Sequence, residues 1–293
     1  MPQDSSNSIA FGPPNNQWTY TPATRTYSLT RDVSAPPFVF APTRGPPDTS
    51  VAVAPEHTAL VVIDMQNYFL HPSCREHPSG LAAVPRVLEA VKKCREVGIK
   101  VIWLNWGLSD EDLQRMPAAA TYSFGRGFVD PPAIQGGDQD QASSGSGNNP
   151  LPFPRCTLGS DMGDGRGRLL MAGSWNAELY GPLREAASPS TDVFVSKNRL
   201  SGSWSGDTEF LRALEAHPGK PGTKTLLFAG VNTNQCVLGT LLDAYYRGFD
   251  CVMLEDCCAT TTPGGQDVAV LDVSRSYGFV TDSATFRRGR LGA

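Results

Sequence analysis

The stretch "TALVVIDMQ", from Thr58 to Gln66, decides the fold class of this chain. Its apolar residues form a continuous run of strand length, whereas a half-buried strand alternates apolar and polar residues. A continuous run is typical of a strand buried on both faces of a parallel sheet. The run ends at Asp64, so the stretch predicts a buried parallel strand with a carboxylate at its carboxyl end.

Strands and helices alternate on the carboxyl side of this stretch. Helical spacing or helix-end signals predict helices over 84–98, 174–186, 207–216, 235–248 and 267–278. Short apolar runs predict strands over 99–106, 191–197, 224–230, 250–256 and 279–283. Alternation repeated this often predicts an α/β protein with an open parallel sheet that helices cover on both faces.

Composition divides the chain into an arm and one large domain. Residues 1–55 are rich in Pro, Ser, Thr and Asn, which predicts an extended N-terminal arm with little regular structure. Aromatic residues in "WTYTPATRTYSLT" indicate that this arm lies across the domain or a neighbouring subunit. We interpret residues 56–293 as a single domain in which residues 107–170 form a long loop or lid insertion.

Charge and hydropathy exclude several classes of partner. The chain of 293 residues has a formal net charge of −4 and no long run of Lys and Arg, which argues against nucleic acid or an anionic membrane surface. No apolar stretch approaches the roughly 20 residues that span a bilayer. The first residues, "MPQDSSNSIAFGPPNN", lack the features of a secretory signal, so we expect a cytoplasmic protein that binds a small molecule.

The thiol in "LLFAGVNTNQCV" is the most informative reactive group in the sequence. Cys236 could be core filler, half of a disulfide, a metal ligand or a nucleophile. The seven cysteines are thinly spread without a CxxC spacing, which favours reduced thiols and argues against a disulfide.

Two other reactive side chains share the predicted position of Cys236. Asp64 follows "LVVI", Lys197 follows "VFVS", and Cys236 lies just past "LLFAG", so all three fall at the carboxyl ends of strands. Ligands of open α/β sheets bind at that edge. A thiol attacks as a thiolate, so Asp64 could accept its proton while Lys197 supports the ion pair. The backbone N–H groups of Asn232 and Cys236 could hold the oxyanion that forms on attack.

Each of the three has a plain structural alternative when it is taken alone. Asp64 could cap a helix, Lys197 could be solvated, and Cys236 could pack in the core. Their coincidence at one edge favours a catalytic triad. The histidines all lie in loop-like stretches, which argues against a Cys-His pair; they are His57, His71, His77 and His217. No GxSxG, HExxH, GxxxxGK[ST] or strand-linked GxGxxG motif is present.

The motifs "VVIDMQN", "VSKNRLSG" and "AGVNTNQCV", in this order and spacing, resemble the isochorismatase-like cysteine hydrolase superfamily. The resemblance covers roughly residues 58–283. It implies a three-layer α/β/α fold with a six-stranded parallel sheet, and it assigns the catalytic roles to Asp64, Lys197 and Cys236. It also implies a non-proline cis peptide bond, which falls between Val231 and Asn232.

Within the superfamily, differences between groups bear on the substrate. Nicotinamidases carry a metal-binding Asp-Trp-His stretch where this chain has Asn105-Trp106-Gly107, so we expect neither a metal nor another cofactor. "GSWNAELY", "KNRLSG" and "WLNW" resemble ureidoacrylate amidohydrolases. That resemblance implies substrate contacts from Asn105, Trp106 and Tyr68. Leu200 stands where that group has a substrate-binding tyrosine, which indicates a different amide or ureido compound.

The sequence therefore predicts hydrolysis of a small amide or ureido compound through a thioester on Cys236. Two alternatives remain open: an isochorismatase-type hydrolase that cleaves a vinyl ether to pyruvate, and a non-catalytic interaction protein on the same fold. The aromatic arm and the resemblance both favour a homo-oligomer, either a dimer or a tetramer.

Overall fold

The computed structural model describes residues 8–14, 16–31, 33, 35–126, 157–215 and 222–292. The strands within these residues are β1 (Ile9–Phe11), β2 (Trp18–Thr21), β3 (Thr26–Ser28), β4 (Phe38–Phe40), β5 (Ser50–Val53), β6 (Thr58–Ile63), β7 (Lys100–Trp106), β8 (Val193–Lys197), β9 (Thr225–Val231), β10 (Asp250–Ala259), β11 (Phe279–Thr281) and β12 (Arg290–Leu291). They form two six-stranded sheets.

The larger sheet has the order β11-β10-β9-β6-β7-β8, and all of its strand pairs are parallel. Every residue of β6 is buried, as expected for a strand with neighbours on both edges and helices on both faces. This sheet confirms the prediction made from the continuous apolar run.

Helices cover both faces of the sheet. The α-helices in the described residues are α1 (Asn67–Leu70), α2 (Pro78–Val97), α3 (Asp110–Gln114), α4 (Ala118–Gly125), α5 (Gly181–Ala186), α6 (Glu209–Leu214), α7 (Leu238–Tyr246), α8 (Gly265–Asp272) and α9 (Ser283–Arg288). None of them is long and apolar enough to cross a membrane.

Two consecutive residues of β7 show which helices lie on which face. The indole N–H of Trp103 donates to Asp192, which also pairs with Arg95 of α2. Leu104 packs near Gly202 and Phe210 of α6. Because consecutive strand residues point to opposite faces, α2 and α6 lie on opposite sides of the sheet. The arrangement is the predicted three-layer α/β/α fold.

The described part of residues 1–55 differs from the prediction of little regular structure. It forms strands β1 to β5, which join β12 in a sheet of order β1-β2-β3-β5-β4-β12. These strands have three or four residues each, too few for a periodic pattern to indicate a strand. The sheet forms because distant segments pair, including β4 with the C-terminal β12.

A buried ion pair fixes this sheet to the domain. The guanidinium of Arg31 makes a bidentate contact with Asp250 at the start of β10. The indole N–H of Trp18 and the hydroxyl of Thr225 donate to the same carboxylate, at 2.7 and 3.1 Å. Asp250 thus accepts hydrogen bonds from residues of the N-terminal arm and from the neighbouring strand β9. These bonds attach the small sheet to the large sheet at the amino ends of β9 and β10.

The long loop or lid insertion predicted over 107–170 is described at 107–126 and 157–170, and its remaining residues lie outside the described part of the chain. Its described part contains α3 and α4. Helix α3 is set by a capping box in which Ser109 and Asp112 each hydrogen-bond the other's backbone. The helix predicted over 174–186 is instead a 3₁₀ turn, Trp175–Ala177, followed by α5, because Gly181 and Pro182 begin a new helix.

Candidate active site

Three strands of the large sheet bring the predicted catalytic residues to one edge. Asp64 follows β6, Lys197 ends β8, and Cys236 follows β9 in the turn that leads into α7. The three residues are buried, with at most 5% of any of them exposed. Lys197 comes from two strands away, and its Nζ reaches to 2.9 Å from Asp64 Oδ2.

Asp64 leaves its strand by a sharp turn in the left-handed region, with φ of 53°. Aspartate adopts this region more readily than most residues. Its Oδ1 accepts a hydrogen bond from the backbone N–H of Trp106 at 3.2 Å. Burial raises the pKa of Asp64, and Lys197, the Cys236 thiol and the Trp106 N–H oppose that rise. These three donors indicate that the surroundings of Asp64 are arranged to hold a carboxylate.

Lys197 is held in a fixed position on the α6 side of the sheet. Its Nζ donates to the carbonyl of Arg199 at 3.1 Å and lies 4.1 Å from the centroid of the Trp106 ring. A buried ammonium is stable only if it is paired, and here a carboxylate, a carbonyl and an aromatic face surround it. The cation is therefore available to offset negative charge on Asp64 or on a nearby sulfur.

Cys236 lies in a π-helical turn, Thr233–Val237, directly before α7. Its carbonyl accepts from the Thr240 hydroxyl at 2.7 Å. Burial and the Asp64 carboxylate raise the pKa of the Cys236 thiol to about 12, while Lys197 and the Trp106 side chain lower it. The resting sulfur is thus a thiol beside a carboxylate, and a proton acceptor is already in place for its conversion to a thiolate.

The turn that carries Cys236 begins with two unusual backbone features. Gly230 has φ of 123°, and a Cβ there would lie 2.0 Å from the carbonyl oxygen of Ile63, so only glycine fits between β9 and β6. The Val231–Asn232 peptide bond is cis. The Asn232 carbonyl then accepts from the N–H groups of Gln235 and Val237 at 3.0 and 3.3 Å.

Gln66 holds the end of β7 against the site. Its amide N–H₂ donates to the carbonyls of Trp106 and Ala177 at 2.7 and 2.6 Å, and its Oε1 accepts from the Trp106 N–H at 3.0 Å. The indole N–H of Trp106 is buried and completes no hydrogen bond within the described residues. Since the Trp106 side chain lowers the pKa of Cys236, this N–H is placed to meet negative charge on sulfur.

The four predicted substrate-binding residues do not all meet at this site. Trp106 does, and its ring packs 5.2 Å from Phe124 of α4. Tyr68 lies one ring further away, 6.4 Å from Phe124, and is buried. Leu200 is 38% exposed on the loop after Lys197.

Asn105 lies on the other face of the sheet from Lys197. Because β7 pairs with β8, its neighbour across the strands is Ser196, whereas Trp106 pairs with Lys197. Asn105 and Ser196 line a cleft of about 600 Å³ beside Arg184 of α5, and none of the three predicted catalytic residues lines it. The structure therefore does not bring Asn105 to the triad.

Sequence reasoning missed three residues that support the site: Gln66, His77 and Phe124. Gln66 stood within a quoted motif, but its bonds to Trp106 join segments 40 residues apart. His77 falls in a loop-like stretch of the sequence, yet in the fold the residue is 1% exposed and its ring bonds to Asn232. Phe124 lies in the stretch that was predicted to be irregular. A buried polar or aromatic contact between distant segments leaves no local pattern in a sequence.

The described residues contain no group of three or more His, Cys, Asp or Glu side chains arranged to hold a metal ion. Position 107, where the metal-binding stretch of nicotinamidases has histidine, is a glycine with no side chain to offer.

Comparison with known proteins identifies the family. The family model described as the isochorismatase domain matches residues 58–141 and 153–285. The chain belongs to the isochorismatase family, and this confirms the resemblance stated from its motifs.

Two curated relatives are ureidoacrylate amidohydrolases. The chain is 27% identical over 247 residues to RutB of Azorhizobium caulinodans, covering 81% of this chain and 92% of that protein. It is 26% identical over 244 residues to RutB of Acinetobacter baylyi, covering 81% and 85%.

Solved structures share the fold. A cysteine hydrolase from Pseudomonas syringae pv. phaseolicola gives a TM-score of 0.57 at 20% identity, covering 85% of this chain and 96% of that one. An isochorismatase family protein from Desulfovibrio vulgaris gives 0.55 at 22% identity, covering 78% and 95%.

Proposed function

We propose that this protein is a cysteine-dependent amidohydrolase that cleaves a C–N bond of a small amide or ureido compound through a thioester. The observation that carries the proposal is the buried set of Asp64, Lys197 and Cys236, in which a carboxylate lies between an ammonium and a thiol. Three ionisable side chains buried together at a strand edge are costly for stability, which is typical of a catalytic arrangement.

In the first half-reaction, Asp64 takes the thiol proton as Cys236 Sγ attacks the carbonyl carbon. A carbon–sulfur bond forms, and the carbonyl oxygen becomes an oxyanion, which the N–H groups of Asn232 and Cys236 stabilise. The tetrahedral intermediate then collapses. Its carbon–nitrogen bond breaks, and Asp64 returns the proton to the leaving nitrogen, so that an amine or ammonia departs and a thioester remains.

In the second half-reaction, Asp64 removes a proton from water as the water oxygen attacks the thioester carbonyl. The carbon–sulfur bond breaks, the acid or carbamate product leaves, and the proton returns to the Cys236 sulfur. Lys197 keeps its proton throughout. Its charge, 2.9 Å from Asp64, offsets the buried negative charge that moves between oxygen and sulfur.

Two features support a ureido or amide substrate. The curated relatives named above are ureidoacrylate amidohydrolases. The rings of Trp106, Phe124 and Tyr68 pack edge-on or tilted against one another, and this cluster reaches the site through Trp106, so it offers apolar surface for a small acyl group. The partly exposed Leu200 offers no hydroxyl, so a substrate held by a hydrogen bond at that position is disfavoured.

An ammonia-release assay on a panel of ureido acids, carbamoyl amides, maleamate and nicotinamide tests the proposal. We expect release from at least one ureido or amide compound, unaffected by chelator and lost in Cys236→Ser. Cys74→Ser is the matched control, because Cys74 is half-buried outside the turn and its loss should leave the rate unchanged.

Full turnover by Cys236→Ala, which leaves no nucleophilic side chain at this position, would overturn covalent catalysis at this residue. Release of pyruvate from isochorismate, without ammonia from any compound of the panel, would replace the amidohydrolase proposal with vinyl-ether hydrolysis.

A further inference from the structure

His77 links the start of α2, the longest helix of the described residues, to the turn that carries Cys236. It is the N-cap residue of α2, and its ring is buried. Its Nδ1 accepts from the backbone N–H of Gly80 at 2.9 Å, and its Nε2 lies 2.8 Å from Asn232 Oδ1. One imidazole therefore joins the first turn of its own helix to Asn232, a residue 155 positions away from His77 in the sequence.

The contact with Gly80 fixes the tautomer of His77. A nitrogen that accepts an N–H hydrogen bond carries no proton, so in the neutral ring the proton is on Nε2. Nε2–H then donates to Asn232 Oδ1. Burial lowers the pKa of His77, and the charge of Arg75 acts in the same direction, so the neutral ring predominates. The neutral ring therefore accepts a hydrogen bond at Nδ1, where it caps α2, and donates one at Nε2, where it contacts Asn232.

The second contact acts on Asn232. Its carbonyl is held by N–H groups within the turn, at Gln235 and Val237, whereas its side chain is held from outside the turn by His77. The nearest other side-chain contact is longer, at 3.5 Å to Gln235 Oε1. The orientation of Asn232 therefore depends on α2 as well as on its own turn.

We propose that His77 is a positioning residue, which holds Asn232 through the Nε2–H bond so that the Asn232 backbone N–H faces the oxyanion during acyl transfer to Cys236. This inference rests on the proposed function. It adds that the N-terminus of α2, rather than the turn alone, sets the geometry of the oxyanion-binding group.

Two substitutions separate the capping role of His77 from its positioning role. In His77→Asn, the side-chain oxygen can take the place of Nδ1 and still cap α2, but no donor reaches Asn232. In His77→Gln, the amide nitrogen can take the place of Nε2 and donate to Asn232, while the cap is weakened. If His77 were purely structural, His77→Asn, which caps α2 better, should be the more active variant. If His77 positions Asn232, His77→Gln should be the more active one.

The assay uses p-nitrophenyl acetate, so it does not depend on knowing the natural substrate. Sγ of Cys236 attacks the ester carbonyl, its proton passes to Asp64, and p-nitrophenolate leaves as an initial burst. We expect His77→Asn to slow this burst by about ten- to a hundredfold, with little change in Tm. We expect His77→Gln to retain most of the burst rate while Tm falls by about 2–4 °C.

A double-mutant cycle gives the second readout. In an Asn232→Ala background Nε2 has no partner, so His77→Asn should cause no further loss of burst rate. The positioning role would be overturned if His77→Asn kept the wild-type burst rate. It would also be overturned if His77→Asn reduced the burst rate by the same factor in the wild type and in the Asn232→Ala background. The absence of any burst in the wild type would overturn it together with covalent chemistry. A normal burst without ammonia release from the ureido panel would instead overturn only the proposed substrate class.

Discussion

Lys197 Nζ lies 2.9 Å from Asp64 Oδ2, although the two side chains come from strands separated by β7, and both are almost completely buried. The ammonium crosses the face of Trp106 to reach the carboxylate. A pair of this kind gains Coulombic energy only by giving up the hydration of both ions, so removing one partner is far more costly than removing both.

Lys197→Met should therefore destabilise the fold by about 3–5 kcal/mol at pH 7, because the Asp64 carboxylate is left buried without its counter-charge. Urea unfolding of the wild type, Lys197→Met and the double variant Asp64→Asn/Lys197→Met provides the measurement. The double variant should recover part of the lost stability while remaining inactive. Equal stability of the two variants would show that the pair contributes no coupling.

The acid limb of the kcat/KM profile should reflect Asp64. Only the ionised carboxylate can accept the thiol proton, and burial raises its pKa above the ordinary value of 3.8. Activity should thus rise with pH through a midpoint above 3.8, measured on a substrate that does not itself titrate there. A midpoint at or below 3.8 would contradict a buried Asp64 as the base.

The same raised pKa has a consequence for stability. The folded protein keeps the Asp64 proton at pH values where the unfolded chain has lost it. The raised pKa therefore adds to the free energy of unfolding. This addition is complete below the pKa of Asp64 in the unfolded chain and is lost as pH rises through its pKa in the folded protein. Asp64→Asn removes the titration. Urea unfolding of both proteins at a series of pH values should therefore show that the stability of Asp64→Asn relative to the wild type increases as pH rises across that interval.

Asp64→Asn should have opposite effects on thiol reactivity and on catalysis. The Asp64 carboxylate raises the pKa of Cys236, which is about 12, and Lys197 lowers it, so removing the carboxylate should yield more thiolate. Alkylation of Cys236 by iodoacetamide at pH 8, followed by mass spectrometry, should become faster while amide hydrolysis is lost. Trp106→Phe removes an interaction that lowers the same pKa and should slow alkylation. Slower alkylation of Asp64→Asn would refute the assigned charge balance.

Arg31→Ala should weaken the attachment of the N-terminal sheet without changing the chemistry. Asp250 would keep Trp18 and Thr225 as donors but lose a bidentate charged partner, at a cost of about 1.5–3 kcal/mol. Because Asp250 begins β10, at the end of the sheet away from the triad, kcat should remain unchanged. Arg25→Ala is the matched control, since its pair with Asp48 is exposed and should leave the unfolding midpoint unchanged.

Gly230→Ala should disrupt the approach of β9 to β6. The new Cβ would lie 2.0 Å from the Ile63 carbonyl oxygen at a φ that other residues rarely adopt, so we expect a loss of about 3 kcal/mol or more, together with loss of activity. Gly239→Ala, in α7 with open space around it, should instead stabilise the protein by about 0.5–1 kcal/mol. Thermal unfolding of both variants checks the opposite signs.

The sequence by itself determined the parallel sheet and its three-layer architecture, because continuous apolar strands and alternating helices are local patterns that burial on both faces requires. The family followed from the resemblance of three motifs, which are also local in the sequence. It also predicted that Asp64, Lys197 and Cys236 would share one edge, since the carboxyl ends of parallel strands meet there. Their catalytic roles remain a prediction.

Only the tertiary structure decided the surroundings of that edge. Strand pleating and pairing placed Asn105 on the face opposite Lys197, and folding brought the imidazole of His77 to Asn232 across 155 residues. It also assembled short strands of the arm with β12, at the far end of the chain. Each of these depends on contacts between segments distant in sequence. Such contacts form only when the whole core packs, so no local pattern of residues records them.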